Sequence, residues 1–188
     1  ALPISLDRTF AAAREYAVLL RDHDVDSVRF VATSATRDAG NRNVFVNGIR
    51  DILGIEPEVI SGDEEAALSF AGAVRAVGAG NGDTLVFDLG GGSTEFVLGD
   101  ESGVKASRSV NIGCVRLTER HMVNAPATES QIARVEADTD EALDVARKTV
   151  PLQNARRVVA VAGTATTIAA AALGLERYDS EAINAQTF

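Results

Sequence analysis

The chain has 188 residues, 46% hydrophobic and 24% charged, and a net charge of −9 from 18 Lys and Arg against 27 Asp and Glu. That length fits one large domain or pieces of two, with ample apolar content for a core, and the acidic balance disfavours coating a nucleic acid or an anionic membrane. The single cysteine, Cys114, excludes an intramolecular disulfide framework and fits a reducing compartment; no secretory leader or membrane-spanning apolar run is visible, so the cytoplasm is the expected location.

Leu6, Phe10, Ala13, Tyr16, Ala17 and Leu20 recur at helical spacing and predict a helix over 6–22. Residues 27–33 read as a strand, 41–53 as a helix stopped at Gly54, 58–60 as a short strand and 62–77 as a second helix. Gly78 to Asp83 carries Gly78, Gly80 and Gly82 and marks a link, which divides the chain into regions 1–80 and 81–188. Strands follow at about 84–89, 94–98 and 104–110, then a helix over 113–121. Thr128-Glu129-Ser130-Gln131 has the capping-box pattern and opens a long amphipathic helix to about Lys148. Residues 157–162 read as a strand that Gly163-Thr164-Ala165-Thr166 turns into an alanine-rich helix. The first half thus offers two clear strands, and a two-stranded parallel sheet does not cover a core by itself. With no initial Met, the chain is expected to begin partway through a domain.

Chemistry concentrates at Leu85-Val86-Phe87-Asp88-Leu89-Gly90-Gly91-Gly92-Ser93-Thr94-Glu95-Phe96-Val97. A β-prone run delivers an aspartate to three glycines, then Ser-Thr-Glu, then turns β-prone again. Successive glycines cost backbone entropy, and what they offer is a tight turn whose bare N–H groups let a phosphate approach closely. Asp88 at the strand end is placed to hold a divalent cation beside such a phosphate. The expectation is a hairpin whose turn clasps phosphate, with positive φ and close approach both barring a branched side chain at Gly91.

Other stretches carry candidates of their own. In Val59-Ile60-Ser61-Gly62-Asp63-Glu64-Glu65-Ala66, Ser61 and Glu64 stand in the relation of a capping box. Glu65 lies beside them in the first helical turn, and from spacing alone it reads as an acid complementing the helix dipole. In Ala32-Thr33-Ser34-Ala35-Thr36-Arg37-Asp38-Ala39, a strand runs out to Arg37, which suits either a bidentate grip on phosphate or a surface pair with a nearby acid. Gly163 and Thr164 begin a helix whose N-terminus suits either a phosphate or simple strand–helix packing. Arg116, in Asn111-Ile112-Gly113-Cys114-Val115-Arg116-Leu117-Thr118-Glu119, reads equally as added positive charge or as surface. Cys114, His23 and His121 lack a partner pattern for catalysis or metal binding.

The D-L-G-G-G-S-T-E segment resembles the second phosphate motif of the exopolyphosphatase/guanosine pentaphosphate phosphatase family, within the actin-like ATPase superfamily. The resemblance implies an α/β, two-lobed actin-like (ribonuclease-H-like) fold, partial in this chain. Regions 1–80 and 81–188 would be the remainder of a first lobe and a C-terminally incomplete second lobe. Similar proteins open with a strand and a D-x-G-x-x-S-type phosphate loop, unmatched here, and continue past Phe188. In them the second glutamate of the E-E-A motif is the general base that activates water, which assigns that role to Glu65. Their A-T-x-x-x-R-x-A stretch turns its arginine to the active cleft, as Arg37 would be turned, and their G-T-A/S-T turn lines that cleft, as Gly163 and Thr164 would. Asn111–Glu119 is similar to the family's G-x-x-x-L/M-T-E connector.

The expected reaction is hydrolysis of the terminal phosphoanhydride of inorganic polyphosphate by water, assisted by Mg²⁺. Asp88 and Glu95 would position the cation and the attacking water, Gly90, Gly91, Gly92, Ser93 and Thr94 would cradle phosphate, Glu65 would be the base and Arg37 a phosphate clamp. Guanosine pentaphosphate is the alternative substrate, because it too ends in a phosphoanhydride. A nucleotide-dependent kinase and a non-catalytic polyphosphate- or alarmone-binding module are the alternatives within the superfamily. No membrane or nucleic-acid partner is expected, and a homodimer is the assembly considered.

Overall fold

The computed structural model describes residues 3–78 and 80–188. Its contacts divide the chain into two compact units, Ala1–Ser61 and Gly62–Phe188. The division falls ahead of the glycine link, whose Ala79 lies outside the described residues.

The first unit holds helix α1 (Pro3–Asp22), strand β1 (Val31–Ala32), the single helical turn α2 (Ser34–Arg37), helix α3 (Arg42–Leu53) and strand β2 (Glu58–Val59). β1 pairs with β2 in parallel, Val31 against Glu58 and Ala32 against Val59. The strand expected over 27–33 is therefore only two residues long. Extended backbone becomes a strand only where a partner bonds it, and β2 is just as short. The small hydroxylic residues after β1 form the single turn α2. α3 ends where Gly54 takes the left-handed conformation, φ 72°, with its N–H donated to the Arg50 carbonyl, a turn that residues with a Cβ rarely adopt. Phe45 on α3 stacks on Phe10 of α1 and lies tilted against Phe30, with ring centroids 6.5 and 6.2 Å apart.

The second unit opens with helix α4 (Gly62–Val77), starting at the residue after Ser61. Strands β3 (Thr84–Leu89), β4 (Thr94–Asp100), β5 (Gly103–Val110) and β6 (Arg157–Val161) form one sheet in the order β5-β4-β3-β6. β3, β4 and β5 are an antiparallel meander, and β6 returns parallel to β3. Between β5 and β6 run helices α5 (Cys114–His121) and α6 (Glu129–Arg147), then one 3₁₀ turn at Leu152–Asn154. Helix α7 (Ala162–Ala172) and the short α8 (Ser180–Ile183) follow β6. The capping box at the head of α6 is formed: the Thr128 hydroxyl accepts from the Gln131 N–H, and the Gln131 side chain accepts from the Thr128 N–H. The α/β class expected from the sequence is the class observed.

Alternation along the strands splits the core in two. Leu85, Phe96, Leu98 and Val110 pack with Ala142, Ala146 and Val150, so this face of the sheet is covered by α6 and the residues after it. Val86 and Val97 point to the other face and pack on Ala66, Phe70 and Ala73 of α4. Those three recur at i, i+4 and i+7, a single apolar stripe. The packing of this stripe on β3 and β4 is why α4 belongs with the sheet that follows it.

The junction between β6 and α7 turns on Ala162, at φ 72°. An L-residue there costs about 1–2 kcal/mol, because its Cβ crowds the following carbonyl. Replacing Ala162 by Gly should therefore raise stability by about 0.5–1 kcal/mol in a urea titration, the reverse of the usual cost of glycine in a helix. An Ala162→Gly protein less stable than the parent would remove this strain from the account.

Candidate active site

Asp88 is the penultimate residue of β3, and Glu95 is the second residue of β4. The hairpin register sets them directly opposite each other. Opposite residues share a face of the sheet, and for this pair it is the α4 face, because Phe87 and Phe96 beside them belong to the α6 side. Ser69 of α4 donates its hydroxyl to Asp88 Oδ2 at 2.9 Å. Glu65 lies one helical turn before Ser69 on α4, so the two stack along one face of the helix. Glu65 and Asp88 both act on Glu95 as neighbouring like charges.

Glu95 is the most constrained member of this trio. It is only 2% exposed, and Ser109, its cross-strand neighbour on β5, donates to its Oε1 at 2.7 Å. Burial pushes its carboxyl above the usual range; hydrogen bonds from Ser109 and Ser93 draw it back down, and the charges of Glu65 and Asp88 push it up again.

Between Asp88 and Glu95 the chain makes its glycine turn. Gly90 N–H bonds the Ser93 carbonyl at 3.1 Å and closes the loop. The carbonyls are held from one side: Gly90 accepts from Cys114 N–H at 3.1 Å and Gly91 from Arg116 N–H at 2.9 Å. Gly92 accepts from Arg116 Nε at 2.7 Å. The planar trans peptide directs each C=O opposite to the N–H that follows it. With the carbonyls turned to α5, the N–H groups of Gly91, Gly92 and Ser93 point away from it, as a row of donors suited to an anion.

The glycines answer to packing more than to φ. The left-handed conformation expected at Gly91 is not adopted; a Cβ there would lie 3.2 Å from Val115 Cγ2. The tightest point is Gly113, just before α5, where a Cβ would fall 2.5 Å from the Gly91 carbonyl group. Helix and turn therefore meet backbone to backbone.

The other expected residues divide between the two units. Ser93 and Thr94 are buried, with the Ser93 hydroxyl on Glu95 and Thr94 Oγ1 donated to the Ile112 carbonyl at 2.9 Å. Gly163 and Thr164 stand in the first turn of α7, directly after β6, whose Val161 pairs with Asp88. They therefore emerge at the same end of the sheet as the glycine turn. The Gly163 carbonyl accepts from Thr166 and Thr167 hydroxyls at 3.1 and 2.7 Å. Arg37 lies in the first unit, where its Nη1 donates to the Ile60 carbonyl at 2.8 Å. Sequence reasoning missed Ser69 and Ser109, and placed Gly113 only in a connector. Ser69 could have been found as the residue one turn beyond Glu65; Ser109 shows itself only through strand register.

Among the described residues no three carboxylate, imidazole or thiol groups converge as a metal cage. A Mg²⁺ site seldom needs one, since the ion takes one or two carboxylates together with substrate phosphates and water. Asp88 fits that use: Oδ2 is oriented by Ser69 at the mouth of the turn.

The raised carboxyl of Glu95 carries a stability signature. The folded state keeps the Glu95 proton to a higher pH than the unfolded chain does. This contribution is fully present below the unfolded value near 4.5 and is lost as pH rises through the folded one. Metal-free Glu95→Gln protein should melt at a higher temperature than the parent at about pH 8 and close to it at about pH 4, each kcal/mol being worth about 2–4 °C. A gap independent of pH would show that the burial of this charge is not its source.

Exopolyphosphatase 2 of Mycobacterium tuberculosis is 46% identical over 187 residues, covering 97% of this chain and 58% of that protein. The crystal structure of an exopolyphosphatase-like protein superposes with a TM-score of 0.90 at 48% identity, over 95% of this chain and 58% of the other. That of an exopolyphosphatase from Cytophaga hutchinsonii gives 0.82 at 30% identity, over 96% and 58%. The chain thus spans a little under three-fifths of each of these relatives. Its α/β fold is the fold it shares with those structures. The family model of the Ppx/GppA phosphatase family matches residues 3–188, and the chain belongs to that family.

Proposed function

We propose that the protein hydrolyses the terminal phosphoanhydride of inorganic polyphosphate and releases orthophosphate. The observation that carries this is the grouping of Glu65, Asp88 and Glu95 around a glycine turn whose N–H groups point outward from α5. Carboxylates bring a base and a cation site, and outward amides bring anion stabilisation; phosphoryl transfer needs both.

In this mechanism the N–H groups of Gly91 and Gly92 donate to oxygens of the terminal phosphate. Glu65 accepts a proton from a water as the water oxygen bonds to phosphorus. The bridging P–O bond breaks, and the shortened chain leaves with its oxygen. Asp88, with Glu95 across the hairpin, would hold Mg²⁺, which when bound neutralises charge on the phosphate oxygens. Ser69 and Ser109 keep the carboxylates of Asp88 and Glu95 oriented. Ser93, Thr94, Gly163 and Thr164 would complete the phosphate cradle, and the phosphate clamp assigned to Arg37 follows the family resemblance. Among the described residues no helix is long and apolar enough to cross a membrane. We assign the activity to the cytoplasm, a reducing compartment that suits the lone Cys114.

Guanosine pentaphosphate ends in the same anhydride, and the names of the two exopolyphosphatase relatives favour polyphosphate. Orthophosphate release from the two substrates side by side in the full-length protein tests the assignment: faster turnover of the nucleotide overturns it.

Removing the base should be selective. Glu65→Gln in the full-length protein should lower kcat by about 10²–10⁴-fold with Tm held within a few degrees; normal turnover would exclude Glu65 as the base. Asp88→Asn should shift the Mg²⁺ titration of activity to higher concentration, and an unchanged titration would take Asp88 out of the cation site.

A further inference from the structure

Arg116 sits in a motif that the sequence left undecided between added charge and surface. Its side chain is half-buried and reaches the glycine turn by two routes: its backbone N–H holds the Gly91 carbonyl at 2.9 Å, and its Nε holds the Gly92 carbonyl at 2.7 Å. Cys114 N–H holds the Gly90 carbonyl beside them. The early N–H groups of α5 that would otherwise bind an anion are thus engaged by the turn's own carbonyls.

Each of these bonds fixes one peptide plane. A glycine peptide has few steric barriers, so an unrestrained Gly-Gly-Gly run samples many orientations of its N–H groups. Binding an anion to such a run would require ordering it first, at a cost in conformational entropy. The bonds from α5 remove that freedom before any ligand arrives. Of the three, only the bond to Gly92 comes from a side chain, and it orients the peptide that carries the Ser93 N–H.

We propose that Arg116 is a positioning residue for the phosphate-binding turn: its guanidinium holds the Gly92 carbonyl down on α5, so that the row of amides is set for a phosphate group in the ligand-free protein. This rests on the reading of the turn as a phosphate cradle. Arg116 acts through the peptide it holds. Its contribution is therefore to affinity, and it depends on a directed N–H donor at that place.

The probe is inorganic tripolyphosphate, titrated calorimetrically into the full-length protein in EDTA, with the Gly92 and Ser93 amide resonances followed by NMR. Arg116→Met keeps the aliphatic stem and removes the donor. It should weaken tripolyphosphate binding by about tenfold, the scale of one lost charge-assisted hydrogen bond, and should shift the Ser93 resonance before ligand is added, with Tm within a few degrees. Arg116→Lys, which restores a donor of similar reach, should recover most of the affinity. If the parent binds tripolyphosphate and Arg116→Met binds equally well, the positioning role is overturned while the cradle stands. A lower Tm with unchanged affinity below it also overturns the role, since that is the mark of packing alone. If Arg116→Met does not fold, Arg116→Lys decides by itself: parental amide shifts and affinity uphold the role, and a tenfold loss with unmoved amide resonances overturns it. If the parent shows no binding, the cradle reading fails, and this inference fails with it.

Discussion

The register of β3 against β4 is the constraint on which the site depends. It sets Asp88 opposite Glu95, Val86 opposite Val97 and Leu85 opposite Leu98. A slip by one residue would invert the strand, sending Asp88 into the layer under α6 and Phe87 toward α4. Two cores oppose such a slip, because each face of the sheet has its own apolar partners. The hydrophobic effect thus places carboxylates as a by-product of placing valines and leucines. The position of the site is as firm as the packing of Ala66, Phe70 and Ala73 on the sheet.

The same packing sets up an electrostatic problem. Three acids share one end of one sheet face, and one of them is buried. Burial pushes the Glu95 carboxyl up, and Coulomb repulsion from the neighbouring acids, which grows as water is excluded, adds to it. Ser69 and Ser109 moderate this by supplying donors to Asp88 and Glu95. They do not bring compensating positive charge. A divalent cation held by Asp88 and Glu95, as proposed, would supply that charge and let a phosphate approach.

Glycine here does two jobs. Its lack of a Cβ lets α5 and the turn touch through their backbones, as at Gly113, where a side chain would fall within 2.5 Å of the Gly91 carbonyl group. That contact in turn decides which side the amides of the turn present. The outward donors come from anchoring the carbonyls, and the anchor is the start of a helix that begins some twenty residues further along the chain. Freedom of φ, the usual reason given for glycine in turns, plays no part at Gly90 or Gly91.

Local chemistry made much of this legible beforehand. Apolar periodicity marked the helices and strands of the second unit closely, because each has one face in the core and a long enough run to show its period. The capping pair Thr128 and Gln131 and the helix stop at Gly54 are short-range geometry, and both formed as read. β1 was overestimated, because pairing rather than propensity decides where a strand ends. Asp88, Glu95 and the glycines were visible as a motif, and Glu65 through resemblance. Invisible were Ser109, which meets Glu95 only through the β4–β5 register, and the bonds from Arg116 and Cys114 that orient the turn. The sequence by itself determined the motif of acids and glycines and the local elements that hold it. Only the tertiary structure decided which of them face one another and which way the turn's amides point, because both depend on hydrogen bonds and packing between segments far apart in the chain.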